Sequence, residues 1–223
     1  MSKNKIFVQF LLDKSGSMHS NWNSTISMIE EYVSSLKADK NTSVRFSLNY
    51  FSSGSYHWTR GEPDSLNGLV KGGVHKLKDW SSVNVSPSGG TALYDAIGNT
   101  VHDIQKMKLR DGEIIQLVVI TDGEENSSRT FSHEDVKMLI DSFKSREWAV
   151  VFLAEGLRVV EQARSLGIAP QQVVNINMNN QNPVTIGLRA KGLARSTMMY
   201  AATADVDSTA FSDEDRALYE KSD

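Results

Sequence analysis

The stretch Ile6-Phe7-Val8-Gln9-Phe10-Leu11-Leu12-Asp13-Lys14-Ser15-Gly16-Ser17 decides how this chain is read. Its first part is apolar almost without interruption, as in a strand covered on both faces. It then stops at a carboxylate and two hydroxyls bunched on a tight turn. Working outward, the same arrangement recurs at Ile114 to Ile120, an apolar run followed by Thr121-Asp122-Gly123. Between the two lies Gly89-Gly90-Thr91, where two glycines let the chain approach another group closely before a helix begins.

The remaining periodicities fill in a fold. Trp22, Ile26, Ile29, Val33 and Leu36 recur at spacings of three and four and predict a helix over 22–37. Val44, Phe46, Leu48 and Tyr50 alternate and predict a strand. Tyr56 to Thr59 reads as its short partner after a turn at Gly54-Ser55. Residues 61–88 carry Gly61, Pro63, Gly68, Gly72, Gly73 and Pro87, and suggest a short helix or two among loops. Helices follow from Thr91, with Leu93, Ala96, Ile97, Val101 and Ile104 on one face, and over 132–145, where Ser132 and Asp135 form a capping box. Val150 to Ala154 is a third central strand, 158–166 a helix ended by Gly167, and Val173 to Ile176 a short strand. Asn182-Pro183 starts a long helix to about Tyr200.

Strands alternating with helices imply an α/β domain, a mostly parallel sheet with helices on both faces. One domain over 1–204 is expected, followed by a flexible acidic tail over 205–223 with at most a turn of helix at Asp213 to Tyr219. In such sheets ligands bind at the carboxyl ends of strands. Ser17 and Asp122 are about 105 residues apart, yet both follow central strands and so share one edge. Asp13, Ser15, Ser17, Thr91 and Asp122 then form an all-oxygen set suited to a hard divalent cation, Mg²⁺ or Mn²⁺. Taken alone, each piece is an ordinary turn or helix start. Their order and placement together single them out.

Composition sets bounds. The chain has 223 residues, a formal charge of −3 and no cysteine. Thiolate catalysis, disulfides and Cys-ligated zinc are excluded. The charge gives no general case for nucleic acid. The N-terminus does not read as a signal peptide, and no segment reaches the roughly 20 apolar residues a membrane helix needs. The expectation is a cytoplasmic protein with no membrane or nucleic-acid partner and an oligomeric state the sequence leaves open.

Other residues read more plainly. Lys14, Glu124 and Glu125 are taken as solvated, and Asp95 as either a support for the site or a cap. Arg189, Lys191 and Arg195 are taken as a solvated helix face. His19 is near enough to rim the site. Trp22, Trp58 and Trp80 are core or half-core before they are a partner-binding rim. A serine hydrolase built on Ser15 or Ser17 with His19 fails, because no Gly-x-Ser-x-Gly elbow exists and the two groups are too close along the chain. No glycine-rich nucleotide loop is present.

The motif Asp-x-Ser-x-Ser, a distant Thr and a distant Asp resembles that of the von Willebrand factor type A domain with its metal-ion-dependent adhesion site. Asp13, Ser15, Ser17, Thr91 and Asp122 match it one by one. Phe7 to Met18, Gly89 to Gly98, Val118 to Asn126 and Phe152 to Ile168 resemble the compact type A domains of bacteria and their phages. The resemblance spans most of 4–180. It implies a Rossmann-like three-layer sandwich with one antiparallel edge strand. It also implies a Mg²⁺ (or Mn²⁺) whose shell a protein partner's Asp or Glu completes, in a site that binds rather than catalyses. Two alternatives stay open at this point. One is a metal-assisted phosphohydrolase or phosphate-ligand binder. The other is a scaffold in which the metal is incidental.

Overall fold

The computed structural model describes residues 4–53, 55–57 and 86–221. Its strands are β1 (Asn4–Asp13), β2 (Thr42–Ser52), β3 (Ser55–His57), β4 (Glu113–Thr121), β5 (Ala149–Ala154) and β6 (Val173–Asn175). They form one sheet in the order β3-β2-β1-β4-β5-β6. All neighbours are parallel except β3, which runs antiparallel to β2. The described α-helices are α1 (Trp22–Ala38), α2 (Leu93–Lys106), α3 (His133–Lys144), α4 (Leu157–Ser165), α5 (Pro183–Thr203) and α6 (Asp213–Glu220). Trp58 and Trp80, and most of the segment read as short helices over 61–88, lie outside the described residues.

The uninterrupted apolar runs have a direct cause: the sheet is covered twice. On one face Ile6, Val8, Phe10 and Leu12 pack with α1 and α5 through Ile29, Tyr32, Val33 and Leu193. On the other, Phe7 and Leu11 pack with α2, α3 and α4 through Ile97, Val101, Ile140 and Val160. Alternate residues of one strand therefore serve two cores, and both sets are mainly apolar, with Gln9 of β1 and Gln116 of β4 the buried polar exceptions within the runs 6–12 and 114–120. Trp22 is half-buried against Tyr50, with ring centroids 5.7 Å apart. At the opposite edge of the sheet from the strand carboxyl ends, Glu113 receives both Arg45 and Arg110. Burial alone would push its carboxyl up; these hydrogen bonds hold it below the usual range.

Strand order places a reversal between β1 and β4. From β1 the chain proceeds outward to β2 and β3; from β4 it proceeds the other way to β5 and β6. Crevices at such reversals, outside the strands' carboxyl ends, are where open α/β sheets bind ligands. The register sets Asp13 opposite Phe51, Leu12 opposite Ile120 and Thr121 opposite Ala154, so these strand ends are level.

The C-terminal stretch departs from the expected loose tail. A 3-10 turn (Val206–Thr209) and α6 fold back onto the first core. Two aromatic anchors, Phe211 and Tyr219, are buried and pack edge-on at 5.3 Å. Ser212 and Asp215 close a capping box on α6. Arg189 is not on a solvated face: it is 2% exposed and donates to the carbonyls of Asn177, Leu218, Tyr219 and Lys221. Lys191 and Arg195 are exposed as expected. An acidic, small-residue composition hides two aromatic anchors spaced to reach one groove.

Tyr219→Ala should therefore cost about 3–5 kcal/mol, the range for deleting a buried aromatic ring. Equilibrium denaturation with urea checks this; a loose tail would show no change in midpoint.

Candidate metal centre

Four backbone stitches assemble the edge. Lys14 N–H donates to Phe51 O at 2.8 Å, Ser88 N–H to Lys14 O at 2.8 Å, Gly16 N–H to Gly89 O at 2.9 Å and Ser53 N–H to Gly90 O at 2.7 Å. Asn126 and Ser127 donate their N–H groups to Thr91 O, at 3.0 and 3.2 Å. Four segments distant in sequence thus meet through main-chain bonds that do not depend on side-chain identity. The glycines are needed for space. Gly89 has φ +81°, in the left-handed region, and a Cβ there would come within 2.6 Å of Ser53 Oγ. At Gly90 a Cβ would overlap Ser127 Oγ. These glycines let the 88–91 loop press against its neighbours, which carries Thr91 inward.

All five predicted residues are brought together. Asp13 Oδ1 accepts from Ser15 N–H at 2.7 Å, and Oδ2 from Thr121 Oγ1 at 2.6 Å. The hydroxyls of Ser15 and Ser17 lie 3.0 Å apart. Ser17 Oγ donates to Asp122 Oδ1 at 2.6 Å. Thr91 Oγ1 shares the space above Gly123, where a Cβ would lie 2.7 Å from it and 3.7 Å from Ser17 Oγ. Thr91 is itself oriented by Asn126 Oδ1, which accepts its N–H at 2.9 Å. Asp13, Ser15 and Thr91 are buried, Asp122 is half-buried and Ser17 is exposed, so the site opens to solvent on the Ser17 side.

The electrostatics are one-signed. Burial pushes the Asp13 carboxyl up to about 6, offset in part by its hydrogen bonds and aided by the Asp122 charge. Asp122 is also raised, by burial first. Among the described residues no lysine or arginine forms an ion pair with either. Two carboxylates, three neutral hydroxyls and no cationic side chain make a donor set that fits a hard divalent cation. Among the described residues no three His, Asp or Glu side chains cluster as metal ligands. The set is therefore rich in neutral oxygens and poor in charge, as expected for an ion that keeps waters and an open position.

Sequence reasoning missed three residues here. Thr121 Oγ1 holds Asp13 and also meets Gly123. Asn21 Nδ2 donates to Asp122 Oδ2 at 3.2 Å and to Glu155 Oε2 at 3.0 Å. Glu155 directly follows β5 and is raised by burial and by Asp122. Its position after a central strand was the available signal.

Glu125 departs from its expected place. It is no solvated turn residue: its carboxylate accepts from the N–H groups of Tyr94, Ser127 and Ser128 and from Ser128 Oγ, all at 2.7–2.8 Å. Asp95 likewise accepts from the N–H groups of Arg129, Thr130 and Phe131. Both tie the 123–131 loop to the start of α2. Glu124 is exposed, 3.7 Å from Arg158. His19 is exposed.

A family model for the von Willebrand factor type A domain matches residues 8–187. A search of curated protein sequences finds no match. Among solved structures, mussel byssus proximal thread matrix protein 1 superposes with a TM-score of 0.62 at 14% identity, over 86% of this chain and 48% of that one. Manganese-loaded TRAP protein of Plasmodium vivax gives 0.57 at 18%, over 79% and 70%. The pilus adhesin SpaC of Lactobacillus rhamnosus GG gives 0.63 at 11%, over 89% and 30%. This chain spans about half of the mussel protein and under a third of the adhesin. At these identities the likeness is one of fold.

Stability in EDTA should record the buried carboxylate. The folded Asp13 pKa of about 6 exceeds its ordinary 3.8. Across that window the folded state holds more protons, so stability falls as pH rises and levels off above it. A rise of this size is worth about 3 kcal/mol at most. Denaturation midpoints from pH 3.5 to 7.5 should show this decline in wild type and a smaller one in Asp13→Asn.

Proposed function

The chain belongs to the von Willebrand factor type A family, and from that premise we propose that Asp13, Ser15, Ser17, Thr91 and Asp122 hold one divalent cation, Mg²⁺ or Mn²⁺, through which the protein binds a partner without catalysis. The observation that carries this reading is the convergence of those side chains, from three separate segments, at the reversal of strand order. When bound, the ion supplies a Lewis-acidic position that a partner's Asp or Glu completes.

The chain's own residues divide the work. Asp13, 0% exposed, is clamped at both oxygens and supplies fixed negative charge from beneath. Ser15 and Ser17 turn their hydroxyls toward one another, and Asp122 holds Ser17 from the far side. Three neutral hydroxyls leave the ion electron-poor, which favours an anionic partner group. Ser17 lies at the solvent-facing mouth, where a partner can reach. The named relatives lend support by analogy: TRAP is described as manganese-loaded and SpaC as an adhesin.

Calorimetric titration should show one Mg²⁺ or Mn²⁺ per wild-type chain and none for Asp13→Ala, whose circular dichroism stays native. Retention of acidic peptides from an immobilised library should require Mg²⁺ and vanish in EDTA. Retention unchanged by EDTA would falsify the metal-dependent reading.

A further inference from the structure

Asn21 is the N-cap residue of α1, where asparagine ordinarily accepts a hydrogen bond from the free N–H groups of the first turn. Here it makes no side-chain cap; its backbone sits at φ −96°, ψ −8°. The amide nitrogen is turned the other way, onto two carboxylates, Asp122 Oδ2 at 3.2 Å and Glu155 Oε2 at 3.0 Å. The side chain is 3% exposed. Its backbone is pinned as well: Asn21 N–H donates to Met18 O, and Asn21 O accepts from Thr25 N–H, Thr25 Oγ1 and Ser24 Oγ. The backbone that carries the amide is thus fixed by the start of α1, and the amide's direction by its own bonds to the two carboxylates.

Glu155 is fixed from behind. Its Oε1 accepts from Met178 N–H at 3.2 Å and Asn179 Nδ2 at 2.9 Å, while Oε2 faces Asn21. Two acids sharing one amide nitrogen is an arrangement that repulsion disfavours. A residue serving only to tie elements together would do better as a lysine or arginine, which would cancel the charge. Asparagine supplies two N–H donors and no charge. It orients both carboxylates and leaves their negative charge available.

Building on the metal-binding reading above, we infer that Asn21 and Glu155 are positioning residues for the cation: Glu155 anchors Asn21, and Asn21 holds Asp122 so that its other oxygen meets Ser17. Outer-sphere partners of this kind set metal affinity by orienting the groups nearest the ion. Neither residue touches the five-membered donor set except through Asp122.

The test is Mg²⁺ titration of the full chain, beside thermal melting in EDTA. Asn21→Ala and Glu155→Gln should each weaken Mg²⁺ binding about 10- to 100-fold. Melting in EDTA should fall only slightly for Asn21→Ala, which loses no cap but leaves two carboxylates short of a donor, and hold or rise for Glu155→Gln, which removes a repelling charge. Because Glu155 acts through Asn21, the double variant should bind no more weakly than Asn21→Ala alone. Wild-type affinity in both single variants, or losses that add in the double variant, overturns the inference while the metal reading stands. Affinity losses that merely track a lower melting temperature in EDTA also overturn it, by assigning a structural role. A wild-type chain that binds no divalent cation overturns both.

Discussion

Two desolvated carboxylates held side by side are the constraint on which the top of this molecule depends. Asp13 ends β1 and Asp122 directly follows β4, the adjacent parallel strand, which sets the two side by side. Burial alone would favour their neutral forms. What surrounds them limits that cost with dipoles rather than counter-charges: the Ser15 N–H, the Thr121 and Ser17 hydroxyls and the Asn21 amide. A site so furnished is stable enough to fold and still attractive to a cation.

The rest of the architecture keeps this arrangement from relaxing. The sheet is gripped on both faces by apolar cores, and packed cores do not deform continuously. Glu125 and Asp95 capture the N–H groups of the 123–131 loop, so the segment after Asp122 is fixed to the start of α2. Asn177, beside the residues that anchor Glu155, is joined to the C-terminal helix through Tyr219 O and Arg189. Glu125 and Asp95 are thereby structural, each accepting N–H groups of the 123–131 loop.

Much of this was legible in the sequence, for identifiable reasons. The runs through Leu12 and Ile120 are strands buried on both faces, and a polar cluster that ends such a run marks the strand's carboxyl end, where ligands bind. Asp13, Ser15, Ser17 and Asp122 were therefore readable from strand ends, and Thr91 from the paired glycines before a helix. Asn21 was not readable, because an asparagine before a helix looks like a cap, and only coordinates show its amide turned outward. Glu155 carried the same strand-end signal as Asp122 but lacked a neighbouring hydroxyl to mark it. Arg189 lies on the stripe through Ile186 and Leu193, where apolar residues face the core; its charge masks that position. The tail misled through composition, since two aromatics among acidic and small residues suffice to dock it.

Anomalous diffraction from a crystal soaked in Mn²⁺ tests the central claim most directly. A single strong peak among Asp13, Ser15, Ser17, Thr91 and Asp122, lost in the Asp13→Ala crystal, is the predicted result. A peak elsewhere, or none at saturating Mn²⁺, would contradict it.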